Sequence, residues 1–88
     1  MSKRALERAV DEAIRRALER AVDEAIRREG SLRRVAERLG VTRQAIQQWT
    51  SVPVKRVLMM EEMSDVSRYE LRPDIYGEAP QRAEEQAA

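Results

Sequence analysis

Leu6, Val10, Ile14, Leu18, Val22 and Ile26 follow one another at a spacing of four, each preceded by an alanine, and charged residues fill the gaps. No Gly or Pro interrupts residues 2–29, Ser2 suits a helix start, and Gly30 stands where a left-handed stop is expected. The pattern predicts one helix of about 26 residues, about 39 Å long. Four residues turn a helix by about 400°, so the stripe advances by about 40° per step. The pattern is also written twice: residues 5–16 read ALERAVDEAIRR, and residues 17–28 repeat them letter for letter. One copy rotates the helix by about 120°, so the two copies cannot face the same way. The second keeps its natural distance from Gly30, which makes Leu18, Val22 and Ile26 the candidates for packing on the rest of the domain. Leu6, Val10 and Ile14 are expected to project about 18 Å beyond it, turned away and exposed. Charges at i and i+4 (Asp11 with Arg15, Glu12 with Arg16, Asp23 with Arg27, Glu24 with Arg28) would support the helix by a few tenths of a kcal/mol each, roughly.

After Gly30 the periods shorten. Ser31 caps a predicted helix over Leu32–Leu39 that Gly40 ends, and Thr42 caps another over residues 43–50. Pro53 suits the first turn of a fourth helix running to about Met63, with Val54, Val57, Leu58, Met59 and Met63 as expected buried positions. Ser67 and Glu70 have capping-box spacing, so SRYELRP reads as a last helical turn that Pro73 terminates. From Gly77 the tail EAPQRAEEQAA is polar and is expected to be disordered. The fold class is therefore all-α, a helix-turn-helix domain of four to five helices with a long, internally duplicated first helix. Residues 1–16 form an extra helical copy, residues 17–77 the domain, and residues 78–88 the tail.

Within LRRVAERLGVTRQAIQQWTS, residues 32–51, a small residue (Ala36) sits where two helices would cross, and a glycine (Gly40) sits in the turn. Apolar residues stand wherever either helix would face a core: Val35, Leu39, Val41, Ile46 and Trp49. That is the packing requirement of a helix-turn-helix. With Ile46 and Trp49 turned inward, Arg43, Gln44, Gln47 and Gln48 are left outward on the second helix. Gln can bond adenine at N6 and N7 together and Arg can bond guanine at O6 and N7, so these four are the candidate base-reading residues for a major groove. Ser31, Arg33, Arg34, Thr42, Ser51, Lys55 and Arg56 surround them as candidate contacts to the phosphate backbone. Backbone N–H groups near Ser31 and Thr42 are further candidate phosphate donors.

The net charge of +1 hides a pattern that favours such a partner. Residues 31–56 carry six basic side chains against one acidic, while residues 57–88 carry three against eight. A basic segment in an acidic remainder is the footprint a phosphate backbone selects. With no Cys and no His, disulfides, thiolate chemistry, imidazole catalysis and the usual zinc sites drop out, and a reducing cytoplasm is the expected setting. The carboxylates of the first helix alternate with arginines on its wet face, with no apolar pocket to tune them, so the chain is not expected to be an enzyme or to hold a cofactor or metal.

GVTRQAIQQW, the proline-started segment after it and RYELRPDIYG together resemble the Cro family of phage repressors, and more closely the YdaS-type Cro-like regulators. The resemblance covers about residues 17–77, and its more specific half is the RPDIYG ending. It implies a small transcriptional repressor or antitoxin-like regulator acting on its own operon, with Arg43, Gln44, Gln47 and Gln48 at base-contacting positions. The departure is the N-terminus, where that family has one short first helix. The expected partners are a double-stranded DNA operator and a second copy of the chain, in a homodimer or higher oligomer, with the exposed first copies pairing between chains or exchanging with the second copies of a neighbour; the alternative for the first copy is a solvated extension that frays. The competing reading is a helical assembly module in which DNA binding is incidental.

Overall fold

The computed structural model describes residues 2–80, and every regular element among them is helical. The helix α1, Lys3–Glu29, is continuous through both copies of the repeat. Ser2 caps it, its hydroxyl oxygen accepting from the Ala5 N–H at 3.2 Å, and Gly30 ends it at φ 103°, donating to the Ile26 carbonyl at 2.8 Å. The helix α2, Leu32–Leu39, stops at a second left-handed glycine, Gly40. There the Gly40 N–H bonds the Glu37 carbonyl and the Val41 N–H bonds the Ala36 carbonyl. This paired closure satisfies carbonyls a bare helix end would leave open, and a β-carbon at that φ would strain it. The remaining elements are α3 (Arg43–Gln48), a single 3-10 turn (Val54–Arg56), α4 (Val57–Ser64), α5 (Arg68–Leu71) and α6 (Pro73–Tyr76).

Among the described residues there are six helices where four to five were expected, because Pro73 does not merely end a turn. It opens α6, where a missing N–H costs nothing. The helix α3 ends at Gln48, two residues earlier than expected. Trp49 turns extended, and the next residues drop Val52, fully buried, into the core. The fourth helix begins after Pro53 and the 3-10 turn, and it buries Val57 and Met63 as expected but not the other three expected positions. Val57, Met60 and Met63 are inside, whereas Val54, Leu58 and Met59 stand 51%, 48% and 39% exposed. The polar tail from Gly77 bears no regular element over residues 78–80, and residues 81–88 lie outside the described residues.

The core joins α1 to every other layer. Ala17, Leu18, Ala21 and Ala25 of α1 meet Val35, Ala36 and Leu39 of α2, Ile46 of α3, Val52, the inner face of α4 and Leu71 of α5. The broadest contact of α1 is with α4. The alanines, not the large residues, form its centre, with Ala21 and Ala25 wholly buried while Val22 and Ile26 pack only at the margin. Small side chains let the backbones approach closely, and the stripe's 40° drift carries Val22 and Ile26 toward solvent, about 80° and 120° round from Ile14.

Ile14 corrects the expectation for the first copy: it is 6% exposed, while Leu6 and Val10 are 53% and 42% exposed. Only 40° of rotation separates Ile14 from Leu18, so it lies in the middle of the buried arc although it belongs to the first copy. Comparing each residue with its counterpart twelve positions on obscures this. Of the expected charge pairs, Glu12–Arg16 forms loosely at 4.0 Å and Glu24–Arg28 at 2.8 Å. Arg27 turns to Glu24, at 2.6 Å, in place of Asp23.

The C-terminal segment closes the core as a clasp. The Glu61 carboxylate accepts both the Arg68 backbone N–H at 2.6 Å and its guanidinium at 2.9 Å. Arg68 also lies over the Tyr76 ring, 5.8 Å from its centroid. Arg72 holds Asp74 through two bonds and donates to the Val52 carbonyl at 2.8 Å, tying the clasp to the loop that follows α3.

Candidate nucleic-acid interface

The helix α3 buries only Ile46, and this leaves most of a short helix outside the core. Thr42 caps it by accepting from the Ala45 N–H at 3.0 Å, and Ser31 caps α2 by accepting from the Arg34 N–H at 3.2 Å. Each hydroxyl keeps its own hydrogen for an outside acceptor. The capped N–H groups of Ala45 and Arg34, in contrast, are no longer available to a phosphate.

Arg43, Gln44 and Gln47 share one shallow groove with Ser31, Leu32 and Arg33. The start of α2 and the outward face of α3 thus form one surface that carries two glutamines, two arginines and a serine. Gln48 is exposed but stands apart from that groove. It lines a second groove, between α1 and α3, whose floor includes Leu18, Val22, Ile46 and Trp49 and which Gln47 also borders. The structure therefore groups three of the four base-reading candidates and sets the fourth on the side of α1.

The phosphate candidates divide in the same way. Arg33 flanks the first groove and is exposed, with a loose bond to Glu37 at 3.2 Å. Arg34 donates to the Glu29 carbonyl at 3.4 Å, which places it over the turn between α1 and α2. Lys55 is exposed on the 3-10 turn, and the half-buried Arg56 brings its guanidinium beside Gly40, 3.9 Å from where a β-carbon would sit. Among the described residues Arg43, Lys55 and Arg56 enter no ion pair. Ser51 is half-buried beyond the far end of α3, where it lines a polar cavity with Thr50, Arg72 and Asp74 and with Arg8 and Arg15 of the first copy. Sequence reasoning left Arg8, Arg15 and Arg72 out of account. The rotation of the repeat was a usable signal for Arg8 and Arg15, but the course of the loop after α3 was not visible. No three or more carboxylates among the described residues gather where they could hold a metal ion.

A short outward helix set against a second one through a glycine turn, on a scaffold built only of helices, defines a small helix-turn-helix domain. The family model described as bacterial toxin YdaS matches residues 22–80, more than half of the chain, and the chain belongs to that family. The match starts inside the second copy of the repeat, so the first copy lies outside it. No curated protein and no solved structure matches the chain. Membership suggests a phage-type regulator or a component of a toxin–antitoxin pair. No helix among the described residues is long and apolar enough to cross a membrane.

Proposed function

We propose that the chain is a sequence-specific DNA-binding transcriptional regulator, a repressor or antitoxin-like protein acting at the bacterial nucleoid, that reads the major groove with α3. The observation that carries this reading is the shared groove of Arg43, Gln44 and Gln47 with Ser31 and Arg33. Side chains capable of bidentate bonds to bases lie there beside groups suited to phosphate, and Arg43, Gln44, Gln47 and Arg33 are all exposed. Gln48 reads from the margin, and Lys55 and Arg56 hold the backbone beyond the turn. The regulator acts as a homodimer on a two-fold operator with half-sites about 34 Å apart. The exposed Leu6 and Val10 supply a face for pairing between chains, narrower than the sequence alone implied because Ile14 is taken up by the domain.

Titration of a selected duplex and a random one separates the roles. Gln44→Ala and Gln47→Ala should each weaken the selected duplex by about 1–3 kcal/mol and leave the random one unchanged, while Lys55→Ala weakens both alike. Equal effects of all three on both duplexes would remove the assignment. The assembly reading predicts almost no dependence of DNA affinity on salt, whereas several phosphate contacts predict a steep one.

A further inference from the structure

The rotation that turns the first copy's apolar residues away from those of the second also moves its arginines. On α1, Arg4, Arg8 and Arg15 fall within about 40° of one another, whereas their counterparts Arg16, Arg20 and Arg27 lie about 120° further round. The side of α1 that carries Arg8 and Arg15 faces the end of α3. Both line the polar cavity with Thr50 and Ser51, the residues through which the chain leaves the recognition helix. Arg15 also borders the neighbouring groove with Gln47, Gln48 and Thr50. Both arginines are exposed, and neither enters an ion pair among the described residues.

Three carboxylates share the cavity, and two already have partners. Asp74 is held by Arg72 at 3.0 and 2.8 Å, and Glu12 stands 4.0 Å from Arg16. Asp11 remains unpaired among the described residues, so within this cavity two free guanidinium groups and two hydroxyls meet one free carboxylate, while Glu19 and Asp23, in no ion pair among those residues, line the neighbouring groove that Arg15 borders.

We infer that Arg8 and Arg15, with the hydroxyls of Thr50 and Ser51, hold a backbone phosphate of the duplex where it passes the end of α3. The inference rests on the reading of α3 as the base-reading helix. It gives the duplication a consequence for DNA binding: a single copy would put Lys3 in the place of Arg15 and Ser2 in the place of Ile14. The phosphate side of the first copy is separate from Leu6 and Val10, so pairing between chains leaves it open.

The test is the salt dependence of affinity for one selected and one random duplex, in the full chain and in Arg8→Gln, Arg15→Gln and the double variant. The double substitution should weaken both duplexes by the same factor and reduce the slope of log affinity against log salt by about one, and each single substitution should do so by less. Arg8→Lys with Arg15→Lys should restore most of the slope, and Asp11→Asn should tighten binding to both duplexes. Circular dichroism should show unchanged helix content, since both arginines are exposed. A parent chain that binds DNA, with a double variant of parental affinity and slope, would overturn this inference alone. A loss confined to the selected duplex would also overturn it, since that is base reading. Failure of the parent to bind either duplex would remove the α3 reading with it.

Discussion

Residues 5–16 and 17–28 are the same twelve residues in one unbroken helix, yet they live in different surroundings. In the second copy Ala17, Leu18, Ala21 and Ala25 are buried, while in the first only Ile14 is. The charges differ as well. Glu24 is gripped by both Arg27 and Arg28, and their guanidinium groups hold its carboxyl below the ordinary value of 4.5. Its twin Glu12 has one loose partner at 4.0 Å. Helix propensity and the local sequence of charges are identical in the two copies, so neither explains the difference. It comes from helix phase and from where the rest of the domain stops, which is tertiary packing overriding local preference.

The comparison is broken or sharpened most strongly by truncating its large apolar residues. Leu18→Ala should lower unfolding free energy by about 2–5 kcal/mol, whereas Leu6→Ala should fall within about 0.5 kcal/mol of the parent. Denaturant titration distinguishes the two, and equal losses would mean that the first copy is covered in solution. Ile14→Ala crosses the boundary between the copies. It should cost about 2–5 kcal/mol and exceed Ile26→Ala, its counterpart at the margin of the core.

Acid should weaken the clasp next. Arg68 holds the Glu61 carboxyl below its ordinary 4.5, and Arg72 holds Asp74 below its ordinary 3.8. A depressed folded value means stability that is fully present at neutral pH and lost as pH falls below those ordinary values toward the folded ones. Melting temperature should therefore drop on the acid side, and Glu61→Gln should make that drop shallower while lowering the neutral-pH value. The smallest effect belongs to the overhang. Leu6→Glu with Val10→Glu should leave the melting temperature of the dilute chain almost unchanged but shift the mass seen by light scattering at tens of micromolar from dimer to monomer, roughly a halving.

Much of this architecture was legible. Ser2, Ser31, Thr42 and Ser67 cap the helices they were expected to cap, and Gly30 and Gly40 end the first two. Those signals are local: a cap needs only its own next three residues. The inner faces of α1 and α4 were harder, because a face depends on the position of its neighbour. Met60 was missed, and Leu58 and Met59 were expected inside, since hydrophobicity alone cannot choose among adjacent apolar residues. The same limit applies to the interface. Arg43, Gln44 and Gln47 follow from which residues of α3 must point inward. Gln48's separation and the approach of Arg8 and Arg15 to the loop after α3 depend on how the long helix lies across the domain.

Selection of bound sequences from a random pool of DNA duplexes, with the mass of the complex measured alongside, tests most directly whether α3 reads DNA. An enriched two-fold motif whose half-sites lie about one helical turn apart, bound by two chains and relaxed at defined positions by Gln47→Ala, is the predicted result. A pool that emerges unenriched would contradict the DNA-reading account.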